Sequence, residues 1–136
     1  MATVRKEFSI KAPAEQVWAA LADFQAVHER VAPGFVTNSR PDSKADGEAR
    51  IVTFANGSSA RELLIDSDAK QKRLVYAVVG NERLTHHNAS AHVIADGPNG
   101  CRFVWIADFL PNALAPYIDG QMQQGSEVMK RALEGN

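Results

Sequence analysis

At 136 residues, with 45% apolar and 23% charged side chains, the chain has the size and make-up of one folded domain, which excludes a disordered segment. Fifteen Lys and Arg against sixteen Asp and Glu leave a formal charge of -1, which excludes a global field able to draw in nucleic acid or anionic lipid. A single cysteine, Cys101, excludes an internal disulfide, and no uncharged apolar run has the length of a signal segment or bilayer span, so a reducing cytoplasm is the expected compartment.

Over residues 3 to 11, Val4, Phe8 and Ile10 alternate with charged and polar neighbours, which predicts a strand whose apolar face is interrupted by Lys6. Ala12-Pro13 then opens a helix with Val17, Trp18 and Leu21 on its apolar face. Asp23 is placed to cap a second short helix running to about Arg30, and Pro33-Gly34 ends the pair. From Phe35 to Phe109, turn signals such as Asp46-Gly47, Asn56-Gly57 and Gly80-Asn81 separate six strand-like runs at 35–40, 47–55, 59–67, 72–79, 84–95 and 101–110. After Leu110-Pro111 the period lengthens. Leu114, Ile118, Met122, Gly125, Met129 and Ala132 recur at helical spacing, widened by Tyr117, Val128 and Leu133, and predict one long amphipathic helix. No repeat or linker marks a second domain, so residues 1–136 are read as one.

The order β-α-α-β-β-β-β-β-β-α has nothing helical between the six later strands, which rules out a parallel βαβ arrangement and predicts an α+β fold with a curved antiparallel sheet of about seven strands. The long helix must cover one face. A single helix fills only part of the concave side of a wide twisted sheet, and the remaining space is expected to be a cavity.

Several segments in this order carry a resemblance: Ile10 to Leu21, Gly47-Glu48-Ala49-Arg50, Glu62-Leu63-Leu64-Ile65-Asp66, and Val104-Trp105 followed by Phe109-Leu110-Pro111. Together they resemble the START-like (SRPBCC) superfamily, specifically its polyketide cyclase/dehydrase and lipid-transport group, along essentially the whole chain. The resemblance implies a helix-grip fold that holds lipids, hormones, polyketides or other apolar molecules between sheet and C-terminal helix. Arg83-Leu84-Thr85-His86-His87 is similar to the loop with which plant abscisic acid receptors close over their hormone. The chain departs from those receptors at Ala55 to Ser59, where they carry a leucine-proline gate, and at Leu64, where they place a pocket glutamate. The hormone role is therefore not carried over.

Strand alternation assigns the inward faces. His87, Ala89, Ala91 and Val93 are expected inside, with His86, Asn88, Ser90 and His92 outside; Phe103, Trp105, Ala107 and Phe109 are expected inside on the last strand, as are Leu74, Tyr76, Val78, Val52 and Phe54, with Arg50 on the inward register near a strand end. The expected ligand-contacting set is Phe35, Val52, Phe54, Leu64, Tyr76, His87, Ala89, Trp105, Ala107, Tyr117 and Met122. Arg50, Glu62 and Arg83 are candidate polar anchors, the first two equally suited to pairing with each other across adjacent strands. His87 on a small apolar face could donate to a ligand carbonyl or act as a base, and Tyr76 on a neighbouring strand could join it in moving protons, while both residue types also serve plain cores. His86 and His87 point to opposite faces and no CxxC or HExxH spacing exists, so no metal or other cofactor is expected.

The leading expectation is a carrier of an apolar, aromatic or lipid-like small molecule. A cofactor-independent polyketide cyclase or dehydratase using His87 and Tyr76 is the enzymatic alternative, and a protein-interaction module of the chaperone-assisting kind is the third reading; the sequence leaves open whether any reaction is catalysed. Nucleic acid and membrane insertion are not expected. Outward Val104 and Ile106 mark a candidate homodimer surface.

Overall fold

The computed structural model describes residues 1–135. β1 (Ala2–Ile10) is followed by α1 (Ala14–Ala22), a single 3-10 turn (Phe24–Ala26) and the one-turn α2 (Val27–Arg30). Six strands follow: β2 (Val36–Pro41), β3 (Ala49–Phe54), β4 (Ser59–Asp68), β5 (Arg73–Val79), β6 (His86–Ala95) and β7 (Cys101–Leu110). A 3-10 turn (Asn112–Leu114) then leads into α3 (Ala115–Glu134). The strands form one sheet in the order β1-β7-β6-β5-β4-β3-β2, the antiparallel sheet that the element order predicts and the helix-grip arrangement that the resemblance implies. Among the described residues no helix is long and apolar enough to cross a membrane.

Two core clusters hold the layers together. Ile10, Val17, Val52, Val93 and Phe103 pack with Met129 and Leu133 from the C-terminal half of α3. Val4, Trp18, Phe24, Leu74 and Phe109 pack with Met122. Burying side chains of this size contributes about 1.5–3 kcal/mol each, which makes the apolar alternation along β6 and β7 the main determinant of their register. Lys6 does sit on the inward face, opposite Trp105, and satisfies its charge on α3 by donating from Nζ to Asp119 Oδ1 at 2.7 Å. At the other end of the helix, Lys130 Nζ donates to the Ser9 carbonyl and pairs with Glu134 at 2.9 Å. α3 is thus tied to β1 at both ends.

Two expectations need correction, and one strand departs from regular alternation. Asp23 makes no side-chain cap; its Oδ2 instead accepts from Arg30 Nη1 at 3.0 Å, because the short helix starts on a 3-10 turn that does not present amides to it. Val104 is 7% exposed and offers little surface to a second copy, although it lies opposite Glu7 and His92 on the outward register; Ile106, on the same face, is half-buried. The β4 alternation is broken by a bulge: Leu64 lies opposite Tyr76 but Asp66 lies opposite Val75, and the extra residue, Ile65, is pushed out to 52% exposure.

Candidate ligand-binding site

The inward face at the centre of β6 and β7 carries Ala89, Ala91 and Ala107, side chains too short to reach a covering helix. The N-terminal half of α3 accordingly stands off the sheet. Leu114, Ile118 and Gln121 are only half-buried and Tyr117 is exposed, whereas Met122, Gly125, Ser126, Met129 and Leu133 further along are buried. The gap is a cavity of about 400 Å³, open on one side and within the range of small-molecule sites.

Eight of the expected contact residues line it. Phe35, Phe54, Tyr76 and Trp105 supply aromatic walls, His87 and Ala107 lie on the sheet floor, and Tyr117 and Met122 come from α3; Arg83 is at the mouth. Three others do not. Val52 borders a smaller inner chamber, while Leu64 and Ala89 line neither space, since Leu64 packs sideways onto the core and Ala89, at 1% exposure, is covered by its neighbours. Arg50 and Glu62 also lie at the inner chamber, paired to each other at 2.7 Å.

The rim falls in or beside the two segments that the resemblance to the hormone receptors compares, but apart from Arg83, a candidate polar anchor, its residues are absent from the expected site. Ser58, Ser59, Asn81 and Leu84 come from two turns whose Gly signals are legible but whose inward fold is not. Asn81 Oδ1 accepts from the Arg83 and Leu84 amides at 2.8 and 3.4 Å, shaping one turn. On the other, Asn56 Oδ1 accepts from the Ser58 amide at 2.9 Å while its Nδ2 donates to Tyr117 Oη at 3.2 Å, so the β3–β4 hairpin tip is tethered to α3 across the mouth. Gln121 was legible only as a neighbour of the Tyr117–Ile118 stripe. Gly125 has a packing reason: a Cβ there would meet Phe35 Cε2 at 3.1 Å and Trp105 Cζ3 at 3.2 Å, so only glycine lets both rings press against the helix.

The polar chemistry of the cavity is set by two neutral groups. The Val78 amide donates to His87 Nδ1 at 3.0 Å, which leaves the ring hydrogen on Nε2. Burial, reinforced by the neighbouring His86 and opposed by Asp108, lowers the His87 pKa to about 4. Trp105 Nε1 donates to Tyr76 Oη at 3.1 Å, leaving the phenol hydrogen to be given. Burial, with a further contribution from Glu62, holds the Tyr76 pKa well above its ordinary value. The two rings are 6.0 Å apart. Near neutral pH both side chains therefore offer hydrogens and neither is poised to take one.

A pH dependence follows. The folded-state pKa of His87 lies below the ordinary 6.5, so the unfolded chain binds the proton first, and the stability this group contributes is complete above that value and is lost as pH falls towards 4. Urea unfolding at pH 7 and pH 4.5 should show the wild type losing about 1–2 kcal/mol more than His87→Gln across that interval, after allowance for partial exposure. Equal losses would mean that His87 titrates normally.

A family model for polyketide cyclase / dehydrase and lipid transport proteins matches residues 1–134. Among curated protein sequences none matches the chain. Similar solved structures include a solution structure from Thermobifida fusca, at 28% identity and a TM-score of 0.80 over 98% of this chain and 91% of that one. The Zhui aromatase/cyclase from Streptomyces sp. R1128 is similar at 15% identity and a TM-score of 0.75, covering 98% and 92%. Norcoclaurine synthase from Thalictrum flavum, in complex with dopamine and hydroxybenzaldehyde, is similar at 15% identity and a TM-score of 0.74, covering 96% and 84%.

Proposed function

Because the chain belongs to the polyketide cyclase / dehydrase and lipid transport family, we propose that it binds an apolar, ring-bearing small molecule and grips a carbonyl oxygen of that molecule in the cavity beneath α3. The observation that carries this reading is the pairing of two neutral donors, His87 Nε2–H and Tyr76 Oη–H, on the wall of an otherwise largely apolar space. Donors without a matching protein acceptor suit a ligand oxygen, and the surrounding Phe54, Trp105 and Met122 suit its apolar body. The interaction-module reading is disfavoured, since it requires a filled interior. Cys101, free and buried, is compatible with a reducing cytoplasm, which we propose as the compartment.

The enzymatic reading takes a different form from proton shuttling between His87 and Tyr76. Two donors on one carbonyl would stabilise the oxyanion of an enolate; the proton removed next to that carbonyl would pass to water at the open mouth, since among the described residues no carboxylate lines the cavity. Its support is the same pair of donors together with the aromatic walls around them.

The test is calorimetric titration with a naphthyl methyl ketone. Wild-type protein is expected to bind it, and His87→Leu to bind about tenfold more weakly, the loss of one buried hydrogen bond. Unchanged affinity in His87→Leu would overturn the carbonyl assignment. Native mass spectrometry of gently purified protein adds a direct look for a retained apolar molecule.

A further inference from the structure

Behind the ligand cavity lies the smaller chamber, about 60 Å³, and Phe35, Tyr76 and Trp105 form the wall common to both spaces. Its lining is apolar except for Arg50 and Glu62, whose side chains are 7% and 9% exposed. Arg50 Nε donates to Glu62 Oε1 at 2.8 Å, and its Nη2 lies 2.7 Å from the same oxygen in the ion pair. Its Nη1 donates to the Phe24 carbonyl at 2.7 Å, and its guanidinium lies 3.8 Å over the Phe24 ring. Among the described residues Glu62 Oε2 takes part in no hydrogen bond, although its carboxylate borders the chamber.

Glu62 Oε2 is not among the fully enclosed polar atoms that lack a partner, so it keeps accessible surface for a donor to reach, and the chamber has room for several atoms, since a water-sized group needs only about 10–15 Å³. We propose that Glu62 Oε2 is an inner subsite that accepts the hydroxyl hydrogen of a ligand whose body fills the outer cavity. The preferred ligand is then a flat apolar molecule with a carbonyl at one end and a phenolic hydroxyl at the other. This rests on the carbonyl reading above and adds the second end. The polarity of each subsite decides the substituent: His87 and Tyr76 are donors and call for an acceptor, whereas Glu62 is an acceptor and calls for a donor. A carboxylate at the inner end would set like charges together, and a methyl ether would bring an alkyl group against a bare charge. Phe35 is the wall residue that lies outside a strand, following Gly34 at φ +90°, and a ligand that spans both spaces requires its ring to shift.

The experiment compares three naphthyl methyl ketones by calorimetry on the wild-type protein, carrying a hydroxyl, a methoxyl or a hydrogen on the far ring. The hydroxyl compound is expected to bind about tenfold more tightly than the methoxyl one, and more tightly than the unsubstituted ketone. Glu62→Gln should shrink that preference to about threefold or less. Equal wild-type affinity for hydroxyl and methoxyl compounds, with the unsubstituted ketone still bound through His87, would overturn the inner subsite and leave the carbonyl reading standing. Failure of all three to bind would overturn both. The wild-type comparison needs no substitution, so it decides the matter whether or not Glu62→Gln folds.

Discussion

Arg50→Met is expected to lower the free energy of unfolding by about 3–5 kcal/mol, measured by urea denaturation, the largest loss predicted for any single polar substitution in this chain. Glu62 is then left as a buried carboxylate with neither oxygen neutralised, in a region where its partner side chain was 7% exposed. The Phe24 carbonyl loses its donor, and the Phe24 ring loses the cation stacked on it. The double replacement Arg50→Met/Glu62→Leu removes both charges and should recover most of the loss, because the desolvation cost of a buried pair roughly cancels its attraction. If Arg50→Met alone costs less than about 1 kcal/mol, water reaches the pair freely and the inner chamber is not a dry space.

Phe109→Ala should cost a similar amount, about 3–5 kcal/mol, by a different route. Its side chain is 0% exposed, lies across the ladder from His87 and Ala2, and packs with Trp18, Phe24 and Leu74. Close neighbours Ala89 and Ala107 are too small to move into the void, so the cavity term is added in full to the lost transfer energy. The void would open beside the strand position that carries His87, and ketone affinity should fall together with stability. Urea unfolding and calorimetry on the same preparation check both. A loss under about 2 kcal/mol would show that α1 collapses onto the sheet.

Much of this architecture is readable before any coordinates. Alternation in β6 and β7 assigns His87, Ala89, Ala91, Phe103 and Ala107 to the inside correctly, because one face of a sheet covered by a helix must be apolar and a slip of one residue would invert it. The α3 stripe is legible for the same reason at a period of 3.6. The β4 bulge is not, since Leu63-Leu64-Ile65 reads as an apolar run in either register and only pairing with β5 chooses which residue is extruded. The Arg50–Glu62 pair shows the limit most clearly: from sequence the two could face a ligand or each other, and both are compatible with adjacent strands. The tertiary structure brings them together as a pair on the lining of a chamber.

The sequence by itself determined the fold class, the order of elements, and the faces that point inward, all of which follow from local periodicity and from the need to bury apolar surface. Which inward residues border empty space was decided only by the tertiary structure. Leu64 and Ala89 share the inward face with Tyr76 and Ala107, yet only the latter two border the cavity. The distance between α3 and the sheet makes that difference, and it is set by Gly125 letting Phe35 and Trp105 approach at one point while short alanines hold back the packing at another. Such a distance is a sum over contacts from many strands, and no single stretch of sequence encodes it.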